Sequence, residues 1–433
     1  MEKCLLMGNG GREAIIAKKL SEKFEVYAIM AHKNPSIVES VEVSKGKYLI
    51  DEDFDKDNMI NFIKENNLKF CIINSDSLLE KGLIDVARGL GMHTFGPTKE
   101  GARLEWDKAY ALNLVNSIAP EMMIRSTIAI NKEDLEKVKE LYIDENFVVK
   151  PNGLTAGKGV KVGGTHFSSK DEGFHYAEQC LSQDGIVIIQ DKINGKEFSI
   201  TGFTDGNNLC ISPVTRGYQY RYDNDQGPST GGMGCITQSN GLLHFLSESD
   251  IEFCKNVMLK TIKQVNKTTS VYDGILYGSF FKCDDGVKFI EYNSRFGDPE
   301  ALSVISVMNS DFANVVYDIC MKNEINDSSC DFNKLSSYVV CVTSKGYAVD
   351  DQFVPIEFTL PDELLKNTVC DVYFYNSLQI GTNIYKSTGN SRLVGFVKTG
   401  SDLMEIKNDV DQLLSSYISK SNLDFRSDIA LKY

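Results

Sequence analysis

The chain is 433 residues long, 42% hydrophobic and 24% charged, with a net charge of −14. That length exceeds one compact core and implies two to four domains with clefts between them. The acidic balance has no basic block and so no footprint for counterion-release binding to nucleic acid, and no apolar run is long enough to span a bilayer.

None of the eleven cysteines forms a Cys-x-x-Cys pair, and Cys71, Cys210 and Cys341 sit inside apolar runs. They read as buried thiols of a reducing compartment, not as zinc ligands. The five histidines include no pair at metal spacing, so His166 and His175 read as ordinary residues. Met1 to Gly8 enters a folding motif directly, without a basic leader, so a cytoplasmic protein is expected.

Lys3 to Met7 is a short apolar run ending in Gly8-Asn9-Gly10-Gly11, after which Ala14, Ile15, Ala17 and Leu20 carry a helical pattern. Strand, glycine turn and helix then alternate through Glu25–Met30, a helix over Asp57–Asn66, a buried strand over Lys69–Asn74 and a helix over Lys81–Gly89, which predicts a parallel sheet. Gly96-Pro97-Thr98 closes this unit near residue 98, and a polar helical stretch, Lys99–Ile118, leads onward. Phe147–Lys150, Val160–Val162, Gly185–Ile189 and Phe198–Thr204 read as strands of a smaller antiparallel sheet able to move as a lid.

Gly274–Cys283 and Val287–Tyr292 flank Asp284-Asp285-Gly286 as a β-hairpin, followed by a helix over Pro299–Met308. The polar stretch Asn326–Ser337 precedes a terminal unit. Its last helix is expected to bury Leu403, Ile406, Val410, Leu413, Leu414 and Tyr417.

Gly8-Asn9-Gly10-Gly11-Arg12-Glu13 fails as a dinucleotide fingerprint. Glu13 stands where a third small residue belongs, and no acid ends the next strand. Glycine turns, orphan helix donors and Arg12 still suit a phosphate, against the plainer reading of a structural turn. Lys150 to Gly159 is not a Walker A loop, because only three residues separate Gly153 from Gly157 and Gly159 replaces the Ser or Thr. It reads as a flexible loop over phosphates with Lys158 as a mobile charge, although such turns are more often ordinary surface.

Glu291, Asn293 and Arg295 alternate with Ile290, Tyr292 and Ser294, so a strand there points three polar side chains to one face. A carboxylate and an amide oxygen suit magnesium, and Arg295 suits a carboxylate or phosphate; a solvated edge strand is the rival reading. Phe296-Gly297-Asp298-Pro299-Glu300 follows as a tight turn with Asp298 at the start of a helix. Gly227 to Gly234 holds four glycines in eight residues, as a backbone pressed against a ligand requires.

Together Gly8–Glu13, Gly96-Pro97-Thr98, Leu104–Lys108, Val148–Val160, Gly227–Gly234 and Ile290–Glu300 resemble the phosphoribosylamine–glycine ligase family, glycinamide ribonucleotide synthetases of the ATP-grasp superfamily. The resemblance implies an α/β multidomain fold. A parallel-sheet domain would span residues 1–98, and a two-lobed ATP-grasp domain 99–325 with a lid at about 122–190. A mixed α/β C-terminal domain would span 326–433. It implies ligation of glycine to 5-phosphoribosylamine through a glycyl phosphate in purine biosynthesis, with ATP as substrate and Mg2+ or Mn2+ as cofactor.

By the same resemblance Lys108, Lys150, Lys158 and Glu197 contact ATP, and Gln190, Asp191, Lys192 and Ile193 form the adenine hinge. Glu291 and Asn293 ligate the metal. Gly10, Gly11, Arg12, Glu13, Thr230, Gly231, Gly232, Met233, Arg295, Gly297 and Asp298 face the substrates, with Arg295, Asp298 and Lys158 in catalytic roles. The expected partners are small molecules, with no nucleic acid and no membrane, for a monomer or small homo-oligomer.

The chain departs from the family pattern at Ala14, usually His, at Asn74-Ser75-Asp76, usually Gly-Pro-Glu, and at Gly217-Tyr218-Gln219-Tyr220, usually Asp-x-Lys-Arg. Arg216 or Arg221 are candidates to replace a missing charge. A paralogous carboxylate–amine ligase with other substrates and a non-catalytic nucleotide-binding protein are the alternatives.

Overall fold

The computed structural model describes residues 1–155, 159–268, 271–350, 352–366, 368–418 and 421–431. Five parallel strands open the chain, in spatial order Tyr48–Ile50, Phe24–Met30, Glu2–Met7, Phe70–Ile73 and His93–Phe95. The apolar run Cys4–Met7 suits a central strand buried on both faces. Cys4 and Leu6 enter one core, Leu5 and Met7 the other. The first face is covered by Gly11–Leu20 and Pro35–Val43, and also by helices Glu300–Ser306 and Phe312–Cys320 from the middle of the chain.

Two expected helices are broken. The one over Lys81–Gly89 begins at Leu83, after a separate turn Asp76–Glu80, because Gly82 takes φ 74°. Lys99–Ile118 divides into Arg103–Trp106 and Lys108–Ile118, and the Asp107 carboxylate caps the second by accepting the Tyr110 N–H at 3.0 Å.

Four antiparallel strands form the sheet expected to act as a lid, called the lid sheet below, in order Ser126–Ala129, Val187–Asp191, Phe147–Pro151 and Lys161–Val162. Helices Lys132–Glu140 and Lys170–Asp184 close its core around Phe147, Phe174 and Ile189. Phe198–Thr204, expected among these strands, belongs elsewhere: strand Lys196–Thr204 pairs along its length with Gly274–Cys283. Alternation within a strand fixes its faces but not its partner, and the chain changes sheets across Lys192–Gly195.

That third sheet, the floor of the cleft, runs Leu209–Ile211, Lys196–Thr204, Gly274–Cys283, Gly286–Asn293. Phe198, Ile200, Phe280, Phe289 and Tyr292 bury its underside against helices Lys108–Ile118 and Glu248–Thr268. A fourth, six-stranded sheet takes Arg216–Gly217 and Gly234–Thr237 from the middle of the chain and joins them to Ser336–Ser344, Val394–Gly400, Asp371–Phe374 and Leu423–Phe425. The terminal helix Leu403–Ile418 packs on it through Ile406, Val410, Leu414 and Ile418, each four residues apart. Leu413 is half-buried. Tyr417, expected inside, is exposed because Ile418 takes the inward position.

Among the described residues no helix is long and apolar enough to cross a membrane.

Candidate functional site

In the floor sheet Ser279 stands opposite Glu291 and Tyr277 opposite Asn293, and a bulge interrupts the ladder beside Phe280 and Phe289. The extra residue, Ile290, lets Phe289 and Tyr292 both reach the apolar underside, ring centroids 4.7 Å apart. Glu291 and Asn293 are left on the upper face, with Ser279 and Tyr277 of the neighbouring strand and Ser199 and Glu197 of the strand beyond it.

Charges from both lobes gather above them. Lys150, on lid strand Phe147–Pro151, is only 6% exposed; burial lowers its pKa to about 8, with Glu291 opposing and Lys108 reinforcing the fall. Glu197 opens to water but is walled in by the cleft. Desolvation, Glu291 and Glu300 push it up to about 7, against Arg216 and Lys150. Two oxygen donors on one strand, one carboxylate and one carboxamide, with a second carboxylate nearby, suit a hard divalent cation completed by phosphate oxygens and water. Among the described residues no group of three or more His, Cys, Asp or Glu side chains forms a metal cage without such help.

Lys108 begins its helix and donates from Nζ to the Gly153 carbonyl at 2.7 Å, at the start of the glycine loop. Lys158 lies outside the described residues. In the hinge, Gln190 donates to Ser126 Oγ at 2.8 Å. Asp191 takes two bonds from Arg125, both 2.8 Å, and one from the Tyr142 hydroxyl at 2.9 Å. Lys192 donates to the Gly163 carbonyl at 2.7 Å and Ile193 is half-buried. Side chains of Gln190, Asp191 and Lys192 are thus spent on contacts within their own sheet and its flanking loops.

Arg295 does not continue the alternation of Glu291 and Asn293. The strand ends at Asn293, the Ser294 N–H is held by Glu105 Oε2 at 2.8 Å, and Arg295 turns toward the N-terminal unit. It pairs with Glu105 at 2.9 Å, lies 3.9 Å from Asp76, and donates to the Phe296 carbonyl at 3.0 Å. Burial and Asp76 push Glu105 up to about 7, against Arg295. Burial also raises Asp76, but Arg295 and Arg12 outweigh it and hold that carboxyl below its ordinary value.

The N-terminal glycine turn reaches the same place. Arg12 bonds Glu13 at 2.8 Å and donates to the Phe296 carbonyl at 3.2 Å, while Gly10 N–H goes to Glu13 at 2.8 Å. The N-cap donor is therefore answered by the chain's own carboxylate. Asn74, from the departing triplet, accepts the Phe296 N–H at 2.7 Å. Ala14 is fully buried in the core beneath the helix, away from any opening.

Asp298 is held at both oxygens, by Tyr375 at 2.9 Å and by Arg392 at 2.7 Å. Arg392 also donates to the carbonyls of Gly231, of Gly232 at 3.2 Å and of Asp298 at 3.2 Å. Gly231 owes its identity to this arginine, whose guanidinium carbon lies 3.0 Å from where a β-carbon would stand, and Gly232 takes φ 103°. The Tyr347 hydroxyl accepts the Gly231 N–H at 3.1 Å. Gly297 is crowded by Tyr277 and Glu300. Thr230 is buried, its hydroxyl donating to the Gln219 carbonyl at 2.7 Å. Met233 is fully buried, with its N–H given to Tyr218 and its carbonyl taken by Cys341 N–H. It holds the loop and presents nothing to the cleft.

Sequence reasoning missed Tyr347, Tyr375 and Arg392, which arrive from the terminal unit without a local motif, and Glu105, quoted only as part of a stretch. Of the two candidate replacement charges, Arg221 is ruled out: it is buried and bound to Asp424 at 2.9 Å and to the Ser344 and Tyr347 carbonyls. Arg216 lies close enough to Glu197 to lower its pKa.

Residues 2–105 match the family model for the N domain of phosphoribosylglycinamide synthetase, and residues 107–301 that for its ATP-grasp (A) domain. A phosphoribosylamine–glycine ligase from Methanosphaera stadtmanae is 32% identical over 448 residues, covering 99% of this chain and 96% of its own. The chain belongs to the phosphoribosylamine–glycine ligase family. A relative of that name from Pyrococcus abyssi is 36% identical over 352 residues, covering 79% of this chain and 77% of its own. Among solved structures, the Thermotoga maritima phosphoribosylamine–glycine ligase superposes with a TM-score of 0.78 at 24% identity, covering 99% of this chain and 100% of that one. The biotin carboxylase domain of Hydrogenobacter thermophilus 2-oxoglutarate carboxylase, solved with MgADP and bicarbonate, gives 0.70 at 15% identity, covering 96% and 90%. At those identities the superpositions establish the ATP-grasp fold alone.

Proposed function

We propose that the protein joins glycine to 5-phosphoribosylamine at the expense of ATP, giving glycinamide ribonucleotide, ADP and phosphate. The observation that carries this reading is the meeting of Glu291 and Asn293 on the floor with buried Lys150 from the lid. Glu291, Asn293 and Glu197 supply oxygens for a divalent ion, Mg2+ or Mn2+, which when bound neutralises the terminal phosphates. Lys108 and Lys150 add fixed positive charge there, so that the glycine carboxylate approaches the γ-phosphate against reduced repulsion.

Attack of a carboxylate oxygen breaks the bond from the γ-phosphorus to the bridging oxygen. It leaves ADP and an acyl phosphate. The amine nitrogen then adds to the acyl carbon, and phosphate departs as the amide forms. Closure of the lid sheet over the floor keeps water from the acyl phosphate, which supports an enzyme built around a four-residue hinge at Lys192–Gly195. The Gly227–Gly234 loop and Arg295 flank the substrate side.

The test is phosphate release from ATP and Mg2+, with glycine and freshly prepared phosphoribosylamine omitted in turn. Release is expected only when both are present. Release that needs neither, or that follows another amino acid, removes the assignment.

A further inference from the structure

Residues 105–109 touch both halves of the site. Glu105, in the short helix Arg103–Trp106, is 6% exposed and spends its two oxygens on consecutive residues, Oε1 on Arg295 at 2.9 Å and Oε2 on the Ser294 N–H at 2.8 Å. Asp107 accepts from Asn152 Nδ2 at 3.1 Å, Ala109 N–H donates to Asn152 Oδ1 at 2.8 Å, and Lys108 Nζ donates to the Gly153 carbonyl at 2.7 Å. This break between two helices therefore grips the end of the strand that carries Glu291 and Asn293, and also the start of the glycine loop. Arg103 stiffens it through Asp107 at 2.9 Å.

Arg295 depends on that grip. Two of its nitrogens are committed, Nη2 to Glu105 and Nη1 to the Phe296 carbonyl, while Nε is buried with no hydrogen-bond partner among the described residues. An arginine fixed on two edges presents its remaining donors in one orientation, and without the carboxylate its long side chain regains rotamer freedom.

We propose that Glu105 is a positioning residue of the ligase reaction: it orients Arg295 toward the carboxylate substrate and, through residues 105–109, sets that arginine against Lys108 and the phosphate loop. The proposal rests on the ligase reading above.

Glu105→Gln keeps the shape and the acceptor for Ser294 but removes the charge. The KM for glycine is expected to rise about 10- to 100-fold, the range of a charged hydrogen bond, while the KM for ATP stays within about two-fold. Arg295→Lys should cost a similar factor, and the double variant little more than either alone, because both changes remove one interaction. Nucleotide binding by calorimetry reports whether each variant is folded. Should the Gln variant not fold, Glu105→Asp is read in its place and is expected to raise the glycine KM by less. Turnover of the parent with glycine is the control: a parent inactive with glycine sinks the ligase reading. An active parent whose variants leave the glycine KM unchanged, shift both KM values equally, or lose activity additively overturns the role given to Glu105.

Discussion

The ring of Tyr375 lies against Gly11 so closely that a β-carbon on the glycine would stand 2.1 Å from ring carbon Cε2. The contact joins the first helix to the terminal unit, and the same tyrosine gives its hydroxyl hydrogen to Asp298. An alanine in a helix is ordinarily favoured over glycine by about 0.5–1 kcal/mol. Here the clash with a buried ring outweighs that gain. Gly11→Ala should lower the unfolding free energy in urea by about 1–3 kcal/mol, and Tyr375→Leu in the same chain should recover part of it. An unchanged midpoint would falsify this packing.

Under the proposed function, Lys150 is expected to set the alkaline limit of nucleotide binding. Its pKa is lowered from 10.5 to about 8, so its positive charge is present below that pH and lost as pH rises through it. The ATP dissociation constant of the free enzyme should be flat to about pH 7 and climb above 8 by up to about ten-fold per unit. Lys150→Met should bind weakly at every pH, with the slope gone. A parent curve that is level from pH 7 to 9.5 contradicts the assignment.

Removing one metal ligand should stop chemistry without unfolding the protein. Glu291→Ala is expected to lose at least about 100-fold in turnover, beyond the effect of losing an outer-shell contact, with circular dichroism and melting temperature near those of the parent. Chelation should abolish parent activity, and adding Mg2+ or Mn2+ back reads directly which ion serves better. Near-parental turnover in the variant would remove Glu291 from the site.

Ala14→His tests a different kind of claim. The alanine is fully buried in the core beneath the first helix, so the larger side chain should destabilise by about 1–3 kcal/mol through overpacking. No tighter binding of the amine is expected. A stable variant with raised amine affinity would show that the position opens to the substrate after all.

What the sequence disclosed and what it hid divide along physical lines. The Asp284-Asp285-Gly286 turn and the inward Glu291 and Asn293 were legible because hairpin chemistry and strand alternation act over a few residues. The bulge at Ile290 was not, and it decides that Phe289 and Tyr292 share a face. Strand Lys196–Thr204 was recognised but assigned to the wrong sheet, since partner choice depends on residues some eighty positions away. Arg295 was singled out for its donors, yet its direction is set by Glu105 and Asp76 from two other elements. Arg392 and Tyr375 left no local mark at all; only the three-dimensional chain brings them to Asp298.

The sheet shared across residue 326 decides how this protein can be divided. Gly234–Thr237 draws one set of ladder bonds from Ser337–Val340. A fragment stopping before that segment would lay bare the backbone of Gly234–Thr237, beside the glycines that Arg392 and Tyr347 steady. Such a naked edge invites self-association, so a cut near residue 326 is a poor place to shorten this protein, and the terminal hundred residues belong with the segment they pair.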